Sequence, residues 1–351
     1  MPLLKSKFKA FINVLKINLQ ACINELCYSI ISYGENLMKS LVFPGQGSQY
    51  VGMGKDLLDS FPEIKITFEE VNDALDQNLS RLMFDGPEDE LILTENAQPA
   101  IMSIGIATIE ILKSRGFSVD KISNISAGHS LGEYTSLTAL NSLSLTDTAK
   151  LLRLRGKAMQ NSFPSGKGVM AAILGLEINE VIETINSAEI KNVCQIANDN
   201  APGQIVISGE INAVNDIISL LKDKGAKKAI KLPVSAPFHC ELMNNAKDIM
   251  KNELMNITIN KPIIPIIQNT TVDVTEDVEI IKNNLVDQVT ATVRWRETME
   301  KFKELGVNSI IEVGAGNVLT NLAKRSAPNL QRFTLNSKES LENFMRDFNI
   351  V

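Results

Sequence analysis

Two histidines and four cysteines are all the imidazoles and thiols in a chain of 351 residues. With so few metal-favouring side chains, a structural zinc site is not expected. The cysteines (Cys22, Cys27, Cys194 and Cys240) include no CxxC pair and are too sparse to staple a chain of this length, which points to a reducing compartment. If the chemistry needs a histidine base, His129 and His239 are the only candidates. Positive charge is also in short supply: 35 Lys and Arg face 41 Asp and Glu, a formal net charge of -6. Wholesale nucleic-acid binding wants a broad basic face and is not expected, while a local basic patch for an acidic partner stays open. No internal repeat or low-complexity tract is visible. What is present is ordinary for a globular chain, 44% hydrophobic and 22% charged residues, with length enough for one large domain or two smaller ones.

The first 38 residues differ from the rest. They contain no arginine, and Lys5, Lys7, Lys9 and Lys16 precede the first acid, Glu25. Phe8, Phe11, Ile12, Leu15 and Leu19 fall near helical spacing, but Lys16 and several asparagines interrupt any apolar run. The segment is therefore neither a signal-peptide core nor a membrane span. A basic amphipathic surface helix, an organelle transit peptide and sequence upstream of a functional start at Met38 all fit. We take Met38 as the start, with a cytoplasmic protein as the expectation and an organelle as the consequence of a transit peptide.

From residue 39 onward, strands alternate with helices, which predicts a mainly parallel sheet covered on both faces. Leu41–Phe43 and Ile122–Ala127 read as strands, and Gln98-Pro99 reads as the lead into a long buried helix that Gly116 ends. Leu145-Thr146-Asp147 reads as the cap of the next helix. Between 164 and 234 the rhythm becomes βαββαβ, the split-βαβ or ferredoxin-like unit, with strands expected at 169–174, 193–197, 204–208 and 228–232. It reads as a small domain inserted into a large one formed by 39–163 and 235–351. Ile263–Ile267 is apolar, but its prolines predict an edge strand or one reduced in pairing.

The chemistry centres on Gly128-His129-Ser130-Leu131-Gly132, a G-x-S-x-G pattern between a strand and a helix. Glycines on both sides permit a sharp turn, and the serine then projects at a helix start, where free N–H groups favour developing negative charge. Arg155 falls among apolar positions of a helix, where it either pairs with an internal carboxylate or waits for an anionic ligand. Cys240 beside His239 raises a Cys–His pair, but adjacent side chains diverge, so Cys240 reads as a buried small residue.

Taken in order, Gly45-Gln46-Gly47-Ser48-Gln49, Gly128-His129-Ser130-Leu131-Gly132-Glu133-Tyr134, Arg155-Gly156-Lys157 and Pro237-Phe238-His239-Cys240 resemble the malonyl-CoA:acyl carrier protein transacylases of type II fatty acid synthesis and the related acyltransferase domains. The resemblance runs from about Ser40 almost to the C-terminus. It implies an α/β-hydrolase-like large domain with a ferredoxin-like insertion. It also implies ping-pong transfer of malonyl from malonyl-CoA to the phosphopantetheine thiol of acyl carrier protein, without a bound cofactor and by a monomer. Ser130 resembles the nucleophile and His239 the general base. The N–H groups of Gln46 and Leu131 resemble an oxyanion hole, and Arg155 the residue that selects the malonyl carboxylate. By the same resemblance, the Gln288 carbonyl orients the histidine, Asn200 lines the cleft, and Phe238 narrows the pocket against methylmalonyl. His129 becomes a packing or substrate-lining residue rather than a rival base. A serine hydrolase, a polyketide acyltransferase and a non-catalytic scaffold are the alternatives.

Overall fold

The computed structural model describes residues 38–234 and 236–348. The expectations for residues 1–37 lie outside the described residues. Ten strands occur among the described residues: β1 (Met38–Phe43), β2 (Ile125–Gly128), β3 (Gly168–Leu174), β4 (Cys194–Ala201), β5 (Gln204–Glu210), β6 (Lys228–Lys231), β7 (Ile266–Ile267), β8 (Val274–Thr275), β9 (Val307–Val313) and β10 (Gln331–Leu335).

Six strands form a sheet in the order β10-β9-β1-β2-β7-β8. The pairs β1/β2, β2/β7 and β9/β10 are parallel, and β8 closes the edge antiparallel to β7. Leu41, Val42 and Phe43 are fully buried, as a central parallel strand covered on both faces requires. The helix Thr94–Ser114 is buried along nearly its whole length. The other four strands form an antiparallel sheet in the order β4-β5-β3-β6, with the helices Ile178–Ser187 and Ile211–Asp223 supplying the two crossovers of the ferredoxin-like pattern. The α/β class with a mainly parallel sheet and a second, ferredoxin-like antiparallel one is therefore the fold of the chain. No helix of the described residues is long and apolar enough to cross a membrane.

Five local expectations change. The expected strand at 122–127 is instead a helical turn, Val119–Ile122, followed by β2 from Ile125. The side chains of Ser123 and Asn124 accept the main-chain N–H groups of Leu41 and Lys39, so side-chain bonds to β1 replace ladder bonds until residue 125. Pro99 lies inside its helix rather than before it, because burial of the surrounding turns outweighs one lost ladder bond. The cap of the helix Leu145–Asn161 is Ser144, whose hydroxyl accepts the Asp147 N–H at 3.0 Å. β7 is reduced to two residues, yet it sits between β2 and β8 rather than at an edge. Pro265 has no N–H to give, but its carbonyl still accepts from Ser126 at 3.0 Å. Finally, β4 runs on to Ala201, because irregularities at 196–198 and 199–201 let its polar end stay paired to β5 while its other edge bonds the main chain of Val293.

Candidate active site

The turn after β2 carries Ser130 at φ +53°, the left-handed region that an L-residue adopts only when its surroundings hold it there. Both flanking glycines are sterically required. A Cβ on Gly128 would overlap the main chain of Gly132, and one on Gly132 would overlap the Phe43 carbonyl. The helix Gly132–Ala139 starts immediately afterwards. His239 also stands at positive φ, +58°, on the segment that leaves the small sheet. These two bends bring Ser130 Oγ and His239 Nε2 to 2.8 Å across 109 residues of sequence.

The tautomer of His239 follows from its other nitrogen. Nδ1 lies 2.9 Å from the Gln288 carbonyl, which can only accept, so Nδ1 carries the proton and Nε2 presents a lone pair to the serine. Burial, aided by the nearby Arg155 charge, pushes the pKa of His239 from 6.5 down to about 3. The ring is therefore neutral at neutral pH, as a base must be before it takes a proton.

Arg155 reaches the same spot from the helix Leu145–Asn161. Gly156 lets that helix approach the turn at Thr94 and Glu95 so closely that any Cβ would collide with backbone. The Arg155 side chain is 1% exposed, and no carboxylate among the described residues lies within ion-pair distance of it. It donates to Gln98 Oε1 at 2.8 Å, Gln288 Oε1 at 2.9 Å and Ser130 Oγ at 3.1 Å, and its Nε has no partner. A buried cation held only by two amides and a hydroxyl is incompletely compensated, so an entering anion would find it ready.

Ser130, His239 and Arg155 open into one cleft of about 390 Å³, whose wall also includes Gln46, Leu131, His129 and Phe238. Two expected lining residues stand behind that wall. Gln288 is fully buried and works from beneath, through its carbonyl and its amide. Asn200 sits at the β4 irregularity and turns away from the cleft to meet His129 Nε2 at 2.8 Å, while Asn198 occupies the wall. His129, engaged by Asn200 and packed on the Trp295 ring, points away from the serine hydroxyl. Cys240 is fully buried, and burial pushes its thiol up to about 11, so no reactive Cys–His pair exists there.

With this geometry in view, comparison with known proteins is direct. The model of the acyl transferase domain family matches residues 40–348. The chain belongs to the acyl transferase domain family. Among relatives in that family, the malonyl CoA-acyl carrier protein transacylase of Bacillus subtilis is 41% identical over 304 residues, covering 86% of this chain and 95% of that protein. That of Escherichia coli K12 is 38% identical over 302 residues, covering 86% and 97%. Among solved structures, the acyl-carrier-protein-S-malonyltransferase of Bartonella henselae superposes with a TM-score of 0.87 at 47% identity, covering 90% of this chain and 100% of that one. A malonyl-transacylase solved in complex with a type II PKS acyl-carrier protein gives a TM-score of 0.86 at 37% identity, covering 88% and 99%.

Three residues of this acyl transferase site escaped the sequence reading. Gln98 holds the guanidinium, Asn269 accepts the Ser130 N–H at 2.7 Å, and Glu133 is buried beneath both Asn269 and Gln288. Asn269 follows β7 at the carboxyl end of the sheet, where open α/β sheets place their sites, and that position was the available signal. Gln98 carried none, because nothing local marks a glutamine on a buried helix as facing an arginine 57 residues away.

Proposed function

We propose that the chain transfers a malonyl group from malonyl-CoA to the phosphopantetheine thiol of acyl carrier protein, through a malonyl ester on Ser130, and so supplies fatty acid synthesis. The carrying observation is Arg155: a buried guanidinium without a carboxylate partner, 3.1 Å from the nucleophile's oxygen. A neutral acyl chain has no use for it, whereas the free carboxylate of malonyl can take two of its N–H groups at once.

In the first half-reaction His239 Nε2 takes the proton of Ser130 Oγ as the oxygen attacks the thioester carbonyl. The N–H groups of Leu131 and Gln46 receive the oxyanion, at the start of a helix whose dipole has the right sign. The C–S bond breaks, and the departing CoA sulfur takes the proton from His239. In the second half, the carrier thiol gives its proton to His239 and its sulfur attacks the ester. Ser130 then leaves as its alkoxide and recovers the proton. The Gln288 carbonyl holds Nδ1–H throughout. All of these groups belong to one chain, so a monomer suffices, and no bound cofactor enters the sequence of steps.

We assign the catalytic unit to residues 39–163 and 235–351 and read 164–234 as an insertion that helps close the cleft, since Met170, Asn198 and Leu232 line it together with Arg155. The cysteine usage supports a cytoplasmic setting. A polyketide pathway is the second reading, favoured by the likeness to the transacylase solved with a PKS carrier.

Mass spectrometry of the intact protein after exposure to malonyl-CoA tests the proposal. Wild type should gain one malonyl adduct, Ser130→Ala none, and added holo-carrier protein should discharge the adduct faster than buffer does. An adduct lost to water at the same rate with or without carrier would make the protein a hydrolase instead.

A further inference from the structure

Glu133 is a fully buried carboxylate in the elbow helix, three residues after the nucleophile, and the transfer chemistry above leaves it without a task. Its Oε1 accepts the main-chain N–H of Asn269, and its Oε2 accepts Gln288 Nε2 at 2.5 Å. Each of these partners reaches back to the reacting groups. Asn269 accepts the Ser130 N–H at 2.7 Å and donates to the Gly128 carbonyl at 2.7 Å, so it grips both ends of the elbow. Gln288 donates to the Ser130 carbonyl at 3.0 Å, accepts from Arg155 at 2.9 Å, and offers its carbonyl to His239. One carboxylate therefore stands behind the nucleophile, the base and the guanidinium together.

The amide of Gln288 shows why an acid is needed there. Its two ends are nearly isosteric, and rotation by half a turn exchanges donor for acceptor. Both Glu133 oxygens take N–H donors, so the carboxyl holds the NH2 end of Gln288, and the carbonyl end is left facing Arg155. The Ser130 carbonyl at 3.0 Å and Asn269 Oδ1 at 3.4 Å accept from the same NH2 end, so the acid is the shortest of three acceptors that hold this orientation, and its loss loosens the amide that faces the guanidinium. Burial pushes the Glu133 carboxyl up to about 8 even though the two donated hydrogen bonds and the Arg155 charge pull it down.

We propose that Glu133 is a positioning residue for acyl-group selection: by fixing the Gln288 amide it aims Arg155 at the carboxylate of the incoming acyl group. This rests on Arg155 binding malonyl. The experiment compares kcat/KM for malonyl-CoA and acetyl-CoA in wild type, Glu133→Gln, Gln288→Met and the double variant, with folding checked by circular dichroism. Glu133→Gln should lower the malonyl-to-acetyl ratio about ten- to hundredfold, the scale of a lost hydrogen bond to a charged group. Gln288→Met removes the amide but keeps the main-chain carbonyl on His239, so it should shift the ratio equally. It carries the test alone if Glu133→Gln does not fold. The double variant should shift the ratio no further, because both changes break one link. A purely structural role would depress both substrates together, so an unchanged ratio in either folded single variant overturns the proposal. Failure of wild type to form a malonyl adduct would instead overturn the malonyl reading itself.

Discussion

Replacing Arg155 by alanine gives the sharpest test of the site. The side chain is 1% exposed, and its partners are two glutamine oxygens and the serine hydroxyl. A malonyl carboxylate entering the cleft would pair with this buried guanidinium and take the place of the hydroxyl on one of its arms. Truncating one partner of such a buried, hydrogen-bonded charge pair costs about 2–5 kcal/mol, chiefly because the other charge is left unpaired. Each 1.36 kcal/mol is tenfold in rate, so kcat/KM for malonyl-CoA should fall by roughly thirty- to several-thousandfold. Acetyl-CoA carries no carboxylate. For it the variant loses only one donor to Ser130 Oγ and gains relief from a desolvated positive charge that also depresses the basicity of His239. Acetyl transfer should therefore hold or rise, and the preference should invert. The assay is transfer of labelled acyl groups from each thioester to holo-carrier protein over a range of thioester concentrations, alongside thermal unfolding of the variant. Equal loss of both activities by a variant that still unfolds cooperatively would refute the selector role.

Two further outcomes follow from the same geometry. The pKa of His239 is near 3 in the folded protein against 6.5 for a free imidazole, so between those values the unfolded chain binds a proton that the folded one refuses. Stability must then be lost as pH falls through that window, by up to about 1.4 kcal/mol per pH unit from this residue. Thermal unfolding of His239→Gln should be flatter below pH 6.5 than wild type, and parallel curves would count against a neutral buried imidazole. Phe238, 5% exposed beside the base, is part of the cleft wall, and we take it to crowd an α-methyl group there. Phe238→Ser should raise methylmalonyl relative to malonyl transfer about ten- to two-hundredfold, the worth of one methyl in a tight pocket. Unchanged relative rates for the two thioesters would remove Phe238 from specificity.

The parts of this protein that were legible in the sequence are those written in consecutive residues. G-x-S-x-G marks a sharp turn because only glycine tolerates the close approach of Phe43 and Gly132 on either side. The βαββαβ rhythm marks the small sheet because its helices are amphipathic and its strands short. Where local signals conflicted with tertiary ones, the tertiary ones prevailed: Pro99 stayed in a helix because burial on all sides outweighed a missing bond, and β7 sat inside the sheet rather than at its edge, though with the reduced pairing its prolines also allowed.

By itself the sequence carried the chain's class, the candidate nucleophile Ser130 and the shortage of bases that left only His129 and His239. Folding alone decided between those two, because a side chain's reach depends on which strand ends lie side by side: His239 arrives 2.8 Å from Ser130 Oγ while His129 is drawn off to Asn200. The network of Gln98, Asn269, Gln288 and Glu133 likewise exists only in three dimensions. A polar group reveals its purpose by what satisfies it once water is gone, and residues 57 to 158 positions apart carry no trace of that partnership along the chain.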